Sequence, residues 1–441
     1  MFQRNCSSTS SATDGSATDG SATDGSATDG SATDDALPGS NTDYPRILGT
    51  YSRGLPGPQV LVTGGVHGNE PAGIVAVQRV LAALEGKSAP LRGSLTGIAG
   101  NRAGLAKGAR YLTRDLNRRW VLDDMVALLS RDRAEDTAED REQRELLELF
   151  APLLATTEEP LVFIDLHSTS GDGAPFSCMA DVIRNRKIAF SLGVPVVLGL
   201  EEVIDGSMLG FLCDLGHIGV AIEGGQHDHP GTADNHESAI WIALVAAGCL
   251  DAAHVPDLAD HRRRLREVTR GLPQVIEIRH RHVVHDENEP FTMLPGFTNF
   301  QPVREQQVVA SDAQGEVRTP EAALMMLPRY QPQGEDGYFL ARQVSRFWLA
   351  LSAGLRRSRI DRLVHWLPGV RRDPARHDHM VLDRERPRAV DVFHLMGYRH
   401  RRDEGDGFVF TRRRPDATGL ESMPSAMQEL LDAAAAATNE A

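Results

Sequence analysis

The sequence predicts an α/β fold: a sheet covered by helices on both faces, followed by a smaller C-terminal β-rich domain. Three observations predict it. Short apolar runs, among them Gln59-Val60-Leu61-Val62 and Leu161-Val162-Phe163-Ile164, have the length and branching of strands buried on both faces. Between them lie stretches with apolar residues at helical spacing, such as Ile74 to Leu84, stopped by Gly86. After about Asp260 this alternation ends. The strand-like runs Val275 to Ile278, Gln307 to Val309 and Gly337 to Leu340 then suggest a separate β-rich unit.

Taken in order, residues 1–43 open with five tandem copies of Ser-Ala-Thr-Asp-(Gly/Asp) over residues 11 to 35. With no large apolar side chain, this stretch cannot offset its ordering entropy and reads as a disordered acidic tether. Residues 44–260 form the expected α/β domain. Its first strand ends at Gly65, a helix covers Ile74 to Leu84, and a second strand spans Gly93 to Gly100. A charged segment from Arg131 to Arg144 precedes a helix near Glu145 to Leu154. Strands at Leu161 to His167, Pro195 to Leu200 and Gly219 to Ile222 follow, and a hydrophobic helix covers Ala239 to Leu250. Residues 270–345 are the β-rich domain. Residues 346–441 read as an Arg-rich extension, with an amphipathic helix over Arg342 to Trp366. A hairpin is expected between Val392 to Met396 and Phe408 to Thr411, and a frayed Ala-rich helix after Pro424.

Composition excludes several classes of function. The 441 residues carry a net charge of -14, which opposes general affinity for nucleic acid or anionic membrane. No apolar run approaches the ~20 residues of a membrane span. The first residues lack a signal-peptide core. Cys6, Cys178, Cys213 and Cys249 are scattered without paired spacing, so a reducing cytoplasm is expected. Between Arg356 and Arg414 there are 16 Arg against 9 Asp and Glu, but without interleaved aromatics, so a solvated surface is expected there.

Chemistry gathers at the predicted strand ends. His67 and Glu70 stand three residues apart, just beyond the first strand, where an imidazole and a carboxylate can reach one small cation. Such a pair also arises by chance among surface polar residues. His167 and Glu223 fall at the ends of two further strands, where ligands bind in open α/β sheets. That coincidence favours a shared site. A second cluster, His227, Asp228, His229 and His236, reads as a polar loop beside a pocket rather than as a second metal site.

Five motifs occur in one order: Gly64-Gly65-Val66-His67-Gly68-Asn69-Glu70, Arg110-Tyr111, Asp115-Leu116-Asn117-Arg118, Asp165-Leu166-His167-Ser168-Thr169 and Ile222-Glu223-Gly224-Gly225. Together they resemble the succinylglutamate desuccinylase/aspartoacylase family, which is related to the zinc carboxypeptidases. The later Gly296-Phe297-Thr298-Asn299 and Met326-Leu327-Pro328 to Phe339 resemble its C-terminal β domain. The resemblance implies a zinc-carboxypeptidase-like three-layer αβα domain and one Zn2+ per chain, held by His67, Glu70 and His167. It implies Glu223 as the proton-transferring group and Arg110 as support for the developing oxyanion. Asn117 and Arg118 would hold a substrate carboxylate, and Tyr338 would contact substrate from the β domain. Glu223 also admits a plainer role, a carboxylate bonded to the glycine amides after it. Asp165 either orients an imidazole or pairs with an arginine; Arg114 and Arg119 are expected to be solvated.

The expected activity is zinc-dependent hydrolysis of the amide of an N-acylated amino acid or related small amine. The alternatives are a metallocarboxypeptidase acting on peptides and a non-catalytic binding protein that keeps the fold. One departure bears on substrate. The aspartoacylase branch has a tyrosine and an arginine ahead of the glutamate; this sequence has Leu209 and Cys213 there. An arginine to read an aspartate side chain is therefore missing, which disfavours N-acetylaspartate.

Overall fold

In the computed structural model the apolar run around Val62 lies in a ten-residue strand, β2 (Leu55–Gly64), preceded by β1 (Ile47–Ser52). The structure describes residues 43–157, 159–284, 290–358, 360–373, 379–383, 389–404, 407–412 and 425–439. The pentapeptide repeat and Cys6, and so the expected tether, lie outside these residues. Strands β3 (Arg92–Ala99), β4 (Val162–Thr169), β5 (Phe176–Cys178), β6 (Val196–Leu198), β7 (Ile218–Gln226) and β8 (Val275–Val283) follow. Next come β9 (Thr292–Met293), β10 (Pro302–Val303), β11 (Val308–Asp312), β12 (Gly315–Arg318), β13 (Ala323–Met326) and β14 (Asp336–Gln343). The last four are β15 (Val370–Arg372), β16 (His379–Asp383), β17 (Tyr398–Glu404) and β18 (Gly407–Arg412).

Eleven strands form one sheet in the order β1-β3-β2-β4-β7-β5-β6-β8-β14-β13-β10. Strands β3, β2, β4 and β7 run parallel, with Gly64 level with Leu166 and His167 level with Glu223. The carboxyl ends of β2, β4 and β7 therefore lie side by side. The sequence drew a domain boundary near residue 260, yet the hydrogen-bonded sheet runs across it. Strand β8 pairs in parallel with β6 and antiparallel with β14, so β8, β14, β13 and β10 extend the central sheet. Only β9, β11 and β12 make a separate small sheet there.

Twelve α-helices occur among the described residues. In the first half they are α1 (Ala72–Gly86), α2 (Arg102–Leu105), α3 (Leu122–Leu129), α4 (Ala138–Thr156), α5 (Ile183–Ser191), α6 (Leu200–Val203) and α7 (Met208–Asp214). The others are α8 (Gly231–Ala247), α9 (Leu258–Val268), α10 (Arg346–Arg357), α11 (Ala389–Leu395) and α12 (Ser425–Asn439). Because side chains alternate along a strand, Val60, Val62, Ile164 and Leu166 pack with Val77 and Val80 of α1 and Trp241 of α8 on one face. Leu61 and Phe163 pack with Phe150 of α4 and Phe211 of α7 on the other. This is a three-layer αβα arrangement. No helix of the described residues is long and apolar enough to cross a membrane.

Three sequence expectations need correction. Helix α4 starts at Ala138, seven residues before the expected start at Glu145, with Thr137 and Asp140 forming a capping box. Its first turns lack an apolar pattern because their inward side chains are charged: Glu142 is buried and pairs with Arg46, and Arg144 pairs with Asp136 at 2.5 Å. Residues 392–395 belong to α11, so the hairpin is formed instead by β17 and β18 in a four-stranded sheet with β15 and β16. The C-terminal helix α12 is anchored, with Leu430 and Leu431 buried in the same cluster as Phe150.

Candidate metal and catalytic site

The loop after β2 turns sharply at Gly65, whose φ of +67° is a left-handed conformation that glycine adopts without strain. Gly68 then lies against the backbone of Gly104 and Ala109, where any Cβ would overlap main-chain atoms. Its amide donates to the Arg110 carbonyl at 3.1 Å, so the loop carrying His67 and the loop carrying Arg110 are locked together. Glu70 closes the turn, its amide bonded to the His67 carbonyl at 3.1 Å.

His67, Glu70 and His167 are buried, and one ligand-type atom from each lies within 4.8 Å of the others. They are the single such group of three or more among the described residues. His67 Nδ1 faces Glu70 Oε1 at 2.8 Å, and His167 Nδ1 faces Glu70 Oε2 at 3.1 Å. The outer nitrogens are each backed by an aspartate: His67 Nε2 lies 3.2 Å from Asp115 Oδ1, and His167 Nε2 lies 3.0 Å from Asp165 Oδ2. Asp165 is held in turn by Thr63 Oγ1, at 2.5 Å. It faces an imidazole, not an arginine. Two imidazoles with Nδ1 converging on a carboxylate and Nε2 fixed by acids make a donor set that fits a divalent metal. The charges agree. Although burial opposes it, His67 and His167 hold the Glu70 carboxyl well below its ordinary range. Burial likewise opposes ionisation of Asp115, but Arg110 and His67 hold it well below the carboxylate range.

Glu223 stands beside His167 in the β4–β7 register and lines the same pocket. Its Oε2 has no hydrogen-bond partner, so it is not tied down by the glycine amides that follow. Burial pushes its carboxyl up to about 8; the His167 charge opposes the rise and the Glu70 charge adds to it. Arg110 donates to Asp115 Oδ2 at 2.9 Å and its guanidinium stands 3.6 Å from Glu70 Oε1, at the pocket wall.

Asn117 and Arg118 also line the pocket, but both are already engaged. Asn117 Oδ1 accepts from the Met208 amide at 2.9 Å, and its Nδ2 lies 3.5 Å from His167 Nε2. Arg118 pairs with Asp336 at 2.9 Å, an acid it shares with Arg281 at 2.5 Å. Tyr338 does not reach the pocket. Adjacent side chains on β14 point to opposite faces, so Phe339 lines the cavity while Tyr338 is fully buried behind it, stacked on His282 at 5.1 Å. Arg114 is not free in solvent, because it pairs with buried Asp140; Arg119 lies 3.3 Å from Asp124.

Leu209 lines the pocket, whereas Cys213 is buried one turn further along α7, 3.7 Å from Asn185 Nδ2. The His227 cluster does not converge. His227 bonds Ser168 Oγ at 2.8 Å, while His236 is buried under Gly224 with neither ring nitrogen partnered. Burial drives His236 down to about 3, so it is a neutral core imidazole. Sequence reasoning gave no role to Asp115, Asp336 or Arg281. Asp115 lay inside a motif already singled out. Asp336 and Arg281 carry no local signal, because strand pairing alone brings them to Arg118.

Comparison with known proteins agrees on the catalytic part. A family model described as the succinylglutamate desuccinylase/aspartoacylase catalytic domain matches residues 56–244. Among solved structures, a succinylglutamate desuccinylase/aspartoacylase from Rhodobacter sphaeroides is 18% identical over 66% of this chain and 87% of its own, with a TM-score of 0.49. The succinylglutamate desuccinylase of Vibrio parahaemolyticus is 14% identical over 66% and 82%, with a TM-score of 0.47. That of Chromobacterium violaceum is 19% identical over 66% and 86%, with a TM-score of 0.46. The matched residues include His67, Glu70, Arg110, His167 and Glu223, so residues 56–244 of this chain are similar to the succinylglutamate desuccinylase/aspartoacylase catalytic domain.

Proposed function

We propose that this chain is a zinc-dependent hydrolase that cleaves the amide of an N-acylated amino acid or related small amine. The observation that carries the reading is the meeting, in one cavity of about 150 Å³, of a His67–Glu70–His167 donor set with the partnerless carboxyl oxygen of Glu223. A zinc ion held by the three ligands supplies Lewis acidity toward the scissile carbonyl and lowers the pKa of water there. Glu223 Oε2 takes a proton from the attacking water and returns it to the leaving nitrogen. Its raised pKa suits the donating half of that cycle. Arg110, oriented by Asp115, presents positive charge to the oxyanion that develops at the carbonyl. Asn117 and Arg118 hold the substrate's carboxylate at the rim, Arg118 sharing its charge with Asp336. The partner is a small molecule rather than nucleic acid or membrane. Cys178, Cys213 and Cys249 are buried, and the reading places the chain in the cytoplasm.

The test combines metal analysis with a single substitution. Purified protein is expected to hold about one zinc per chain, in keeping with one three-ligand site. Glu223→Gln should retain that zinc and the native melting temperature while kcat falls by about 10²–10⁴-fold, the usual contribution of a positioned proton carrier. Amide hydrolysis by metal-free protein, or full activity in Glu223→Gln, would refute the reading.

A further inference from the structure

The pocket continues below the row of His67, His167 and Glu223, along one face of the sheet. Asp165 and His167 share that face of β4, Ala221 and Glu223 share it on β7, and Phe176 and Cys178 on β5 pair with Glu223 and Ala221. Two residues of strand rise place Ala221 and Cys178 roughly 7 Å beneath Glu223. They form a floor. Met179, Leu200, Ile204, Leu209, Leu327 and Phe339 wall the cavity around it.

The charges in this region are arranged against an anion. The acids lining the cavity include Asp165 and Glu201, and Cys178 is kept as a neutral thiol by burial. The lining cations are three, and each is engaged. Arg110 is bound to Asp115, and Arg118 to Asp336 at the rim. Arg329 donates to the Gly334 carbonyl and lies 4.8 Å over the Phe291 ring. A second carboxylate carried into the depth of the pocket would lose its water and meet no cation there, which costs several kcal/mol for an isolated charge.

We propose that the depth of this pocket receives an uncharged apolar substituent, so that the preferred substrates are N-acyl amino acids with a single carboxylate and an aliphatic or aromatic group. N-acyl dicarboxylic amino acids and N-succinyl compounds are disfavoured. This inference rests on the deacylase reading and narrows it to a substrate class. The apolar group comes either from the acyl chain or from the amino-acid side chain.

The test measures kcat/KM of the zinc-loaded full-length protein on four compounds. N-acetyl-leucine and N-hexanoyl-glycine carry the apolar group on the amino acid and on the acyl side respectively; N-acetyl-aspartate and N-succinyl-glycine are their dicarboxylate counterparts. At least one apolar member should exceed its counterpart by roughly tenfold or more, and which one does identifies the source of the apolar group. Leu209→Arg should shrink or reverse that ratio. Leu200→Arg, at a half-buried position, serves the same purpose should Leu209→Arg fail to fold, as judged by thermal melting. A preference for either dicarboxylate over its apolar counterpart overturns this inference alone. Turnover of none of the four overturns both it and the deacylase reading.

Discussion

Asp115→Asn tests whether the site is a metal centre whose ligands are fixed from behind. In the native chain Asp115 Oδ1 lies 3.2 Å from His67 Nε2 and accepts the Asn117 amide at 2.9 Å, while Oδ2 accepts from Arg110 at 2.9 Å. Asparagine keeps one acceptor oxygen and the side-chain shape but removes the charge. The lost interaction is a charge-assisted hydrogen bond in a nearly dry setting, because His67 and Asp115 side chains are 6% and 9% exposed. Such a bond contributes about 1.5–3 kcal/mol, or about 10–100-fold in an equilibrium constant. Zinc affinity, measured by competition with a chromophoric chelator, should therefore fall by that factor. kcat should fall as well, since Arg110 loses its anchor. Asp165→Asn should behave similarly through His167, and Asp336→Asn, remote from both imidazoles, should leave zinc affinity unchanged. Native zinc affinity in both Asp115→Asn and Asp165→Asn would refute the assignment of Nδ1 as the metal-facing atom of each histidine.

Three further outcomes are expected. Burial, with Arg184 adding, depresses His217 to about 4 from 6.5, and its Nδ1 accepts the Leu161 amide at 3.1 Å. The neutral form is the native one, so this contribution is complete above pH 6.5 and disappears as pH falls toward 4, where the unfolded chain takes up the proton. It is on the order of 3 kcal/mol. Urea unfolding at pH 7 and pH 4.5 should accordingly show a smaller acid loss in His217→Gln than in the native protein. Leu431→Ala should lower stability by about 2–5 kcal/mol, because Leu431 is 1% exposed within the Phe150 cluster; a cost near zero would mean that α12 does not dock. Gly68→Ala should cost about 1–3 kcal/mol by forcing the His67 loop off Gly104 and Ala109, and should weaken zinc binding in the same competition assay.

What was legible in the sequence is what short-range rules control. His67 and Glu70 are three residues apart, and a single turn fixes their relation. His167 and Glu223 end apolar runs whose strand character sequence alone conveys, and parallel register then sets them level. Helix α4 was half hidden because its inward side was written in charge, with Glu142 meeting Arg46 from 96 residues away. Tyr338 was misplaced by a single residue of strand parity: β14 sends Phe339 to the cavity and Tyr338 to the opposite face. Nothing local distinguishes the two until the sheet face is known. That the sheet continues past residue 260 is hidden for a related reason, since strand pairing across β6, β8 and β14 leaves no trace in composition.

The same division separates reaction from selectivity. The groups proposed to handle the amide come from the carboxyl ends of β2, β4 and β7 and the loop after β3, all within residues 56–244. The surroundings proposed to select the amide draw partly on later residues: Phe339 and Leu327 in the wall, and Asp336 on Arg118. Asp336 sits on a strand that reaches the site only because β14 pairs with β8, so the charge left on Arg118 for a substrate carboxylate depends on a contact 218 residues distant in sequence. Motifs that report the ligands are therefore silent on specificity. Substitutions at Leu209, Leu327, Asp336 and Phe339 should redistribute turnover among amides, while those at His67, Glu70, His167 and Glu223 should abolish it for all of them.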